Sequence, residues 1–281
     1  MVHREGSHGG KEYILERFES IDEFLKELES RETTPQYSDD YTARNIREDG
    51  YSDSRWRGVK GYSEARDQFI NGTKAKAAML KAYQTEVDPR QRQAINAPCG
   101  CAPIVAHALM GIPDSMIDIR RKRIPKATKV IVDMTVSSYV NAGDITEAGK
   151  KIIAAVGKLE GEGISTEITC TVDSLLNGRQ LTGMGVTVKN AGQAFSATRV
   201  SFPMSSPAFL RVFSFLQTST LPKALFDWGY GVPVATHYEY KELAEYYRTM
   251  YGDGIYLSLA KVVSRGQEEI NRAIEAWRKG R

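Results

Sequence analysis

No apolar run in the 281-residue sequence is long enough to cross a bilayer, so nothing in it points to a membrane-spanning segment. Residues 1–10 are polar and glycine-rich and lack the apolar centre of a secretion signal. Cysteine is scarce. Three of them, an odd count, argue against a disulfide framework and for a reducing compartment. The cytoplasm is the expected location. Charge of one sign is not in excess: 38 Lys and Arg against 35 Asp and Glu leave +3, which exerts no general pull toward nucleic acid or a membrane surface. There is no Walker-type glycine loop, no internal repeat and no low-complexity tract. Only four histidines occur, and none stands in a motif with a nucleophile. Common nucleotide hydrolases and triad hydrolases are therefore not indicated.

An apolar fraction of 41% is enough for a substantial core. The chain is organised around residues 129–163. Val130-Ile131-Val132 is short, β-branched and apolar, as in a strand covered on both faces. Asp133 stands where that strand ends. Asp144 and Glu147 form a capping-box-like pair, and Ile145, Ala148, Ile152, Val156 and Leu159 recur at helical spacing. Gly161-Glu162-Gly163 closes the helix, and residues 164–171 read as a second strand. This order predicts a right-handed parallel crossover, with ligands beyond the carboxyl ends of the strands.

The fold class expected is α/β: a three-layer, Rossmann-like core with a mainly parallel sheet, plus an N-terminal α/β extension. Residues 1–55 form that extension. In it residues 1–10 read as a disordered leader despite His3, Glu5 and His8, residues 13–18 as a short strand and residues 20–28 as a capped helix. Residues 31–55 read as a polar linker. Residues 56–281 form the main domain. There residues 173–185 read as a polar connection, 197–202 as a strand, and Ser206-Pro207 as a helix start. Residues 242–251 read as a helix and 255–259 as a final strand.

Three constellations carry chemistry. Asp133, Thr135 and Ser137 place a carboxylate and two hydroxyls on alternate residues after the central strand, a solvent-facing oxygen set suited to Mg²⁺ or Mn²⁺. Thr169, Thr171 and Asp173 follow one strand and Ser205 and Ser206 another, so Asp173, Ser205 and Ser206 complete the expected metal set. Cys99, Cys101 and His107, with Cys170 remote, lack the second ligand pair of a structural zinc site and read as a turn-rich loop, with His107 a core or edge-strand residue. Arg120, Arg121, Lys122, Arg123, Lys126 and Lys129 form a basic cluster able to track phosphates. No aromatic residues interleave with it, so a solvated strand edge is the expected role and nucleic acid is not the expected partner.

The Asp133-x-Thr135-x-Ser137 run resembles the first metal-site motif of von Willebrand factor A (vWA) domains, Asp-x-Ser-x-Ser, with threonine in place of the first serine. The chain more closely resembles an uncharacterised bacteriophage protein family with a vWA-like core. The marks are Trp56-Arg57-Gly58, Tyr62-Ser63-Glu64-Ala65, residues 103–116, 130–138 and 161–167, and Phe202-Pro203-Met204-Ser205-Ser206-Pro207 with Arg211. The resemblance implies the fold and a phage origin but supplies no activity. From the fold, the oxygen set and the lack of a nucleophile-base pair, the expected function is that of a non-catalytic protein in the host cytoplasm that binds or assembles with another protein, with or without a divalent cation at the carboxyl edge of the sheet. A metal-dependent phosphate-handling enzyme using Asp133 and Asp173, and nucleic-acid binding through residues 120–129, are the alternatives.

Overall fold

The computed structural model of the protein describes residues 1–31, 54–86, 92–121, 126–221, 232–234 and 240–280. Its strands are β1 (Val2–His8), β2 (Lys11–Phe18), β3 (Arg92–Ala97), β4 (Ala102–Pro103), β5 (Met116–Arg121), β6 (Lys126–Asp133), β7 (Ile164–Leu176), β8 (Gln180–Lys189), β9 (Val232–Pro233) and β10 (Ile255–Ser258). Its helices are α1 (Ile21–Ser30), α2 (Ser54–Arg57), α3 (Tyr62–Asn71), α4 (Lys76–Glu86), α5 (Val105–Leu109), α6 (Ala142–Gly161), α7 (Ala197–Ser205), α8 (Phe215–Ser219), α9 (Tyr240–Tyr251), α10 (Leu259–Arg265) and α11 (Gln267–Lys279), with a π-helix at Phe209–Ser214 between α7 and α8.

The main sheet is mixed and runs β1-β2-β8-β7-β6-β10, with β9 against the far end of β7. Strands β7, β6 and β10 are mutually parallel, as are β2 and β8, while β7 with β8 and β1 with β2 are antiparallel. The β6-α6-β7 crossover forms as the alternation of apolar residues and the long helical stripe dictate. A separate three-stranded sheet, β3-β5-β4, is antiparallel.

The parity of each strand divides its residues between two cores. Val130 and Val132 of β6, Ile168, Cys170 and Val172 of β7, and Ile255 and Leu257 of β10 enter the larger core with Ile152, Val156 and Leu159 of α6 and Phe202, Phe209 and Phe213. Ile131 of β6, Leu15 of β2, and Leu175 and Leu181 face the other way, against Leu243, Tyr246, Tyr247, Met250 and Tyr251 of α9. The arrangement is thus helices, sheet, helix, with α9 as the cover of the second face.

Several expectations change. Residues 1–10 are not a leader: Gly9 and Gly10 take positive φ values of 56° and 75° and turn β1 back onto β2. The first 31 residues supply two strands of the main sheet, with β2 interior, and Phe18, Ile21 and Phe24 join the larger core. Most of the expected 31–55 linker lies outside the described residues. The cap of α6 is Asn141, whose side chain accepts from the amide of Asp144, rather than Asp144 itself. Residues 173–185 are a β-hairpin rather than a polar connection, because Asn177 and Gly178 both adopt the left-handed backbone a tight turn needs. Residues 197–202 are helical, not a strand. His107 sits half-buried on α5, a short helix without buried residues, rather than in a core or edge strand.

Candidate functional site at the carboxyl edge of the sheet

Asp133 is the last residue of β6. Its neighbours in register are Ser258 of β10 on one side and Thr171 of β7 on the other. Alternation puts Asp133, Thr171, Asp173 and Ser258 on the face covered by α9. Asp173, two residues beyond Thr171, lies diagonally across from Asp133, within reach of a charge–charge interaction. Both carboxylates are fully buried.

Each carboxylate has one oxygen engaged and one short of a well-formed hydrogen bond. Asp133 Oδ1 accepts from the Thr135 amide at 2.9 Å and from the Thr135 hydroxyl. Asp173 Oδ1 accepts from the hydroxyls of Tyr246 at 3.0 Å and Tyr251 at 2.7 Å. Asp133 Oδ2 and Asp173 Oδ2 make no well-formed hydrogen bond among the described residues, and neither do the buried hydroxyls of Thr171, Ser258 and Tyr247, although Tyr247 interacts with Asp133 and Thr171 with Asp173. Five buried polar atoms short of well-formed hydrogen bonds in one neighbourhood are unusual, since burial of an unsatisfied polar group is costly. The space for this cluster is made by glycine: a Cβ on Gly183, opposite Asp173, would lie 2.4 Å from Asp173 Oδ1, and one on Gly185 would lie 2.8 Å from the Tyr251 ring.

Burial pushes the Asp133 carboxyl well above the usual range, and the neighbouring Asp173 charge adds to the rise. Burial likewise pushes Asp173 up to about 6, against the hydrogen bond from Tyr251. The Tyr247 hydroxyl is pushed up by burial and then by the Asp133 and Asp173 charges. The two acids therefore resist ionising together, and a cation between them would reverse that. The donors are all oxygen, which suits a hard cation.

Of the residues expected to form the metal set, Asp133, Thr135 and Asp173 come together. Ser137 lies at the exposed end of the following loop, where its hydroxyl faces the Tyr139 amide at 3.5 Å. Ser205 and Ser206 are elsewhere: Ser205 donates to the Ser201 carbonyl at 2.6 Å and bonds the Thr73 hydroxyl, and Ser206 accepts from the Ala208 amide. They end α7, which packs with Phe202 and Met204 in the larger core, so they cannot reach the α9 face. The site is enclosed rather than solvent-facing. Ser258, Tyr246, Tyr247 and Tyr251 were not read from the sequence as site residues; the doublet Tyr246-Tyr247 followed by Tyr251 on one helical face was the available signal.

The loop 134–141 that leaves Asp133 is held from outside by Arg211. Its guanidinium donates to the carbonyls of Ser137 at 3.1 Å, Ser138 at 3.3 Å and Val140 at 3.0 Å, and to the carbonyl of Trp56. It also lies 4.8 Å over the Trp56 ring. Arg211 projects from the π-helix, whose wider turn shifts side chains relative to an α-helix and recurs at functional sites. At the crest of the clamped loop Tyr139 is 95% exposed.

The other constellations do not assemble. Cys170 is buried in the larger core while Cys99 and Cys101 are exposed, and no group of three metal-ligating side chains of the His, Cys, Asp and Glu type occurs among the described residues. In the basic cluster Arg120 and Arg121 end β5 in the small sheet, Lys126 and Lys129 belong to β6 in the main sheet, and Lys122 and Arg123 lie outside the described residues. No described helix is long and apolar enough to cross a membrane.

Residues 4–276 match a family model whose description is Domain of unknown function (DUF7192). No curated protein and no solved structure matches the chain.

Proposed function

Since the chain belongs to the family described as Domain of unknown function (DUF7192), whose description assigns no activity, we propose from its own geometry that it is a non-catalytic, vWA-like interaction protein. In this reading a Mg²⁺ or Mn²⁺ ion sits between Asp133 and Asp173, beneath the loop that contacts a partner protein. The observation that carries it is the buried set of oxygens short of well-formed hydrogen bonds, Asp133 Oδ2, Asp173 Oδ2, Thr171 Oγ1, Ser258 Oγ and Tyr247 Oη, at the carboxyl edge of parallel strands. Supporting the vWA-like reading is the order of elements: β6 ending on Asp133-x-Thr135-x-Ser137, a loop, the long helix α6 and the parallel strand β7. The resemblance to a bacteriophage family makes assembly in the host cytoplasm the proposed setting.

The ion would be organising rather than shared with the partner, because both carboxylates are enclosed. It would neutralise two buried charges and fix the start of loop 134–141, while Arg211 fixes its other side. The partner would meet the rim, where Tyr139 offers a rigid amphipathic ring of the kind enriched at interfaces. A phosphate-handling enzyme is the weaker reading, since a substrate would have to displace the tyrosines of α9 to reach either carboxylate.

The test is affinity capture from phage-infected cells with the full chain and with Tyr139→Ala, each in magnesium and in chelator. The reading requires a partner that is retained by the native chain in magnesium and lost both with Tyr139→Ala and in chelator. A partner set indifferent to both changes would overturn it.

A further inference from the structure

A cleft lies at the opposite, amino-terminal edge of the same parallel strands. It has a volume of about 740 Å³ and is lined by Thr128, Lys129, Glu167, Arg248, Asp253 and Trp277, among others. That volume is within the range of small-molecule sites.

The charges in the cleft are unequally matched. Glu167 accepts from Arg17 at 3.0 Å, and Asp253 pairs with Arg248 at 3.1 Å. Each lining acid thus has an arginine. Lys129 has none of them within ion-pair distance: its ammonium donates to the carbonyl of Tyr251, at the end of α9, at 3.2 Å. An ammonium carries three donors, so two remain for another acceptor. Lys129 is half-buried on the sheet, and its pKa is lowered by burial and then by the Arg17 charge, with Arg4 adding to it and Glu167 opposing. Counting Arg17 and Arg4 beside the lining, four cations, Lys129, Arg248, Arg17 and Arg4, stand against two acids, Glu167 and Asp253. An anion entering the cleft would relieve that excess and would meet a partly desolvated ammonium, where a charge-assisted hydrogen bond is strong.

One wall of the cleft is Trp277 of α11, half-buried against the larger core and therefore a fixed surface. Indole faces stack flat heterocycles. The combination of a half-buried ammonium with spare donors and a held indole fits a ligand with a phosphate at one end and a planar ring at the other. We propose that this cleft binds a mononucleotide, with the phosphate on Lys129 and the base against Trp277. The site is independent of the carboxylate pair, which occupies the other edge of the sheet, so its success or failure does not bear on the cation reading.

The test is calorimetric titration of the full chain with AMP, inorganic phosphate and adenosine as separate probes. Expected is saturable AMP binding with a Kd below about 1 mM, with phosphate alone and adenosine alone each weaker. Lys129→Met should weaken AMP by about tenfold or more, and Lys129→Arg, which keeps the charge, should retain most of the affinity. Trp277→Leu should weaken AMP while leaving inorganic phosphate unchanged. Circular dichroism melts identify variants that remain folded, and Lys129→Arg keeps the phosphate arm testable if Lys129→Met does not fold. No saturable AMP binding by the native chain would overturn the proposal. So would a folded Lys129→Met that binds AMP as well as the native chain but melts lower, because Lys129 would then only cap α9.

Discussion

Asp133 and Asp173 each engage one oxygen in two hydrogen bonds, and the burial of both carboxyls sets how the protein responds to pH. Asp173 is pushed up to about 6 from an ordinary 3.8, by burial first. The folded chain therefore holds this proton more tightly than the unfolded chain. The stability it contributes is fully present below about pH 4 and is lost as pH rises through about 6, a loss on the order of 3 kcal/mol. Asp133, raised by burial and by Asp173, extends the loss to higher pH. In chelator, melting temperature should fall as pH rises from about 4 to about 7. Asp173→Asn, which carries no titrating proton, should flatten the fall, and magnesium should do the same for the native chain by compensating the ionised pair. Equal slopes for the native and Asp173→Asn chains in chelator would show that the pair does not titrate as the structure implies. Asp133 and Thr135 were legible because a carboxylate and a hydroxyl on alternate residues followed an unmistakable strand. Asp173 was expected in the metal set, but from a loop. Its true place inside β7 was hidden by Gly183 and Gly185, which look like turn residues and instead make room for Tyr251 and the carboxylate.

At the level of elements, α6 is the part the sequence specifies most fully. Ile152, Val156 and Leu159 fall on one stripe and are all buried in the larger core. Leu159→Ala should cost about 2–5 kcal/mol in chemical unfolding, the range for emptying a packed leucine site. A loss under about 1 kcal/mol would mean that the site collapses around the deletion. The π-helix was legible only as a helix, because its extra residue per turn leaves no mark in an almost wholly apolar segment. Its consequence is the placement of Arg211, which closes the loop 137–140 from three carbonyls. Arg211→Ala should lower stability by about 1.5–3 kcal/mol, since hydrogen bonds from a charged donor are the strong ones. It should also speed hydrogen exchange at Ser138, Tyr139 and Val140, while unchanged exchange there would show that the loop is held by other contacts. Helix α7 was misread as a strand: Thr198, Val200 and Phe202 have strand-like preferences, but packing of Phe202 and Met204 against α6 and the phenylalanine cluster decides the outcome. That error had a cost, because a strand would have ended at the sheet edge and brought Ser205 and Ser206 to the metal.

For the molecule as a whole, the α/β class and the central crossover followed from hydrophobic periodicity, which is a local signal. What did not follow is non-local. The pairing of β2 with β8 joins residues 12–18 to residues 180–186, and nothing in either segment names the other. The N-terminal stretch therefore looked like an appendage while it supplies an interior strand. The covering of the second face by α9 is of the same kind: its tyrosines acquire a role only when the sheet places two acids beneath them.

Whether this enclosed pair holds a divalent cation is decided by calorimetric titration of the full chain with magnesium and with manganese. Expected is a saturable signal of about one ion per chain at millimolar concentration or tighter. Melting temperature should rise on adding the ion and return in chelator, with both effects absent in folded Asp133→Asn and Asp173→Asn. No heat of binding to either ion for the native chain, together with melts that magnesium and chelator leave unchanged, would contradict the cation reading.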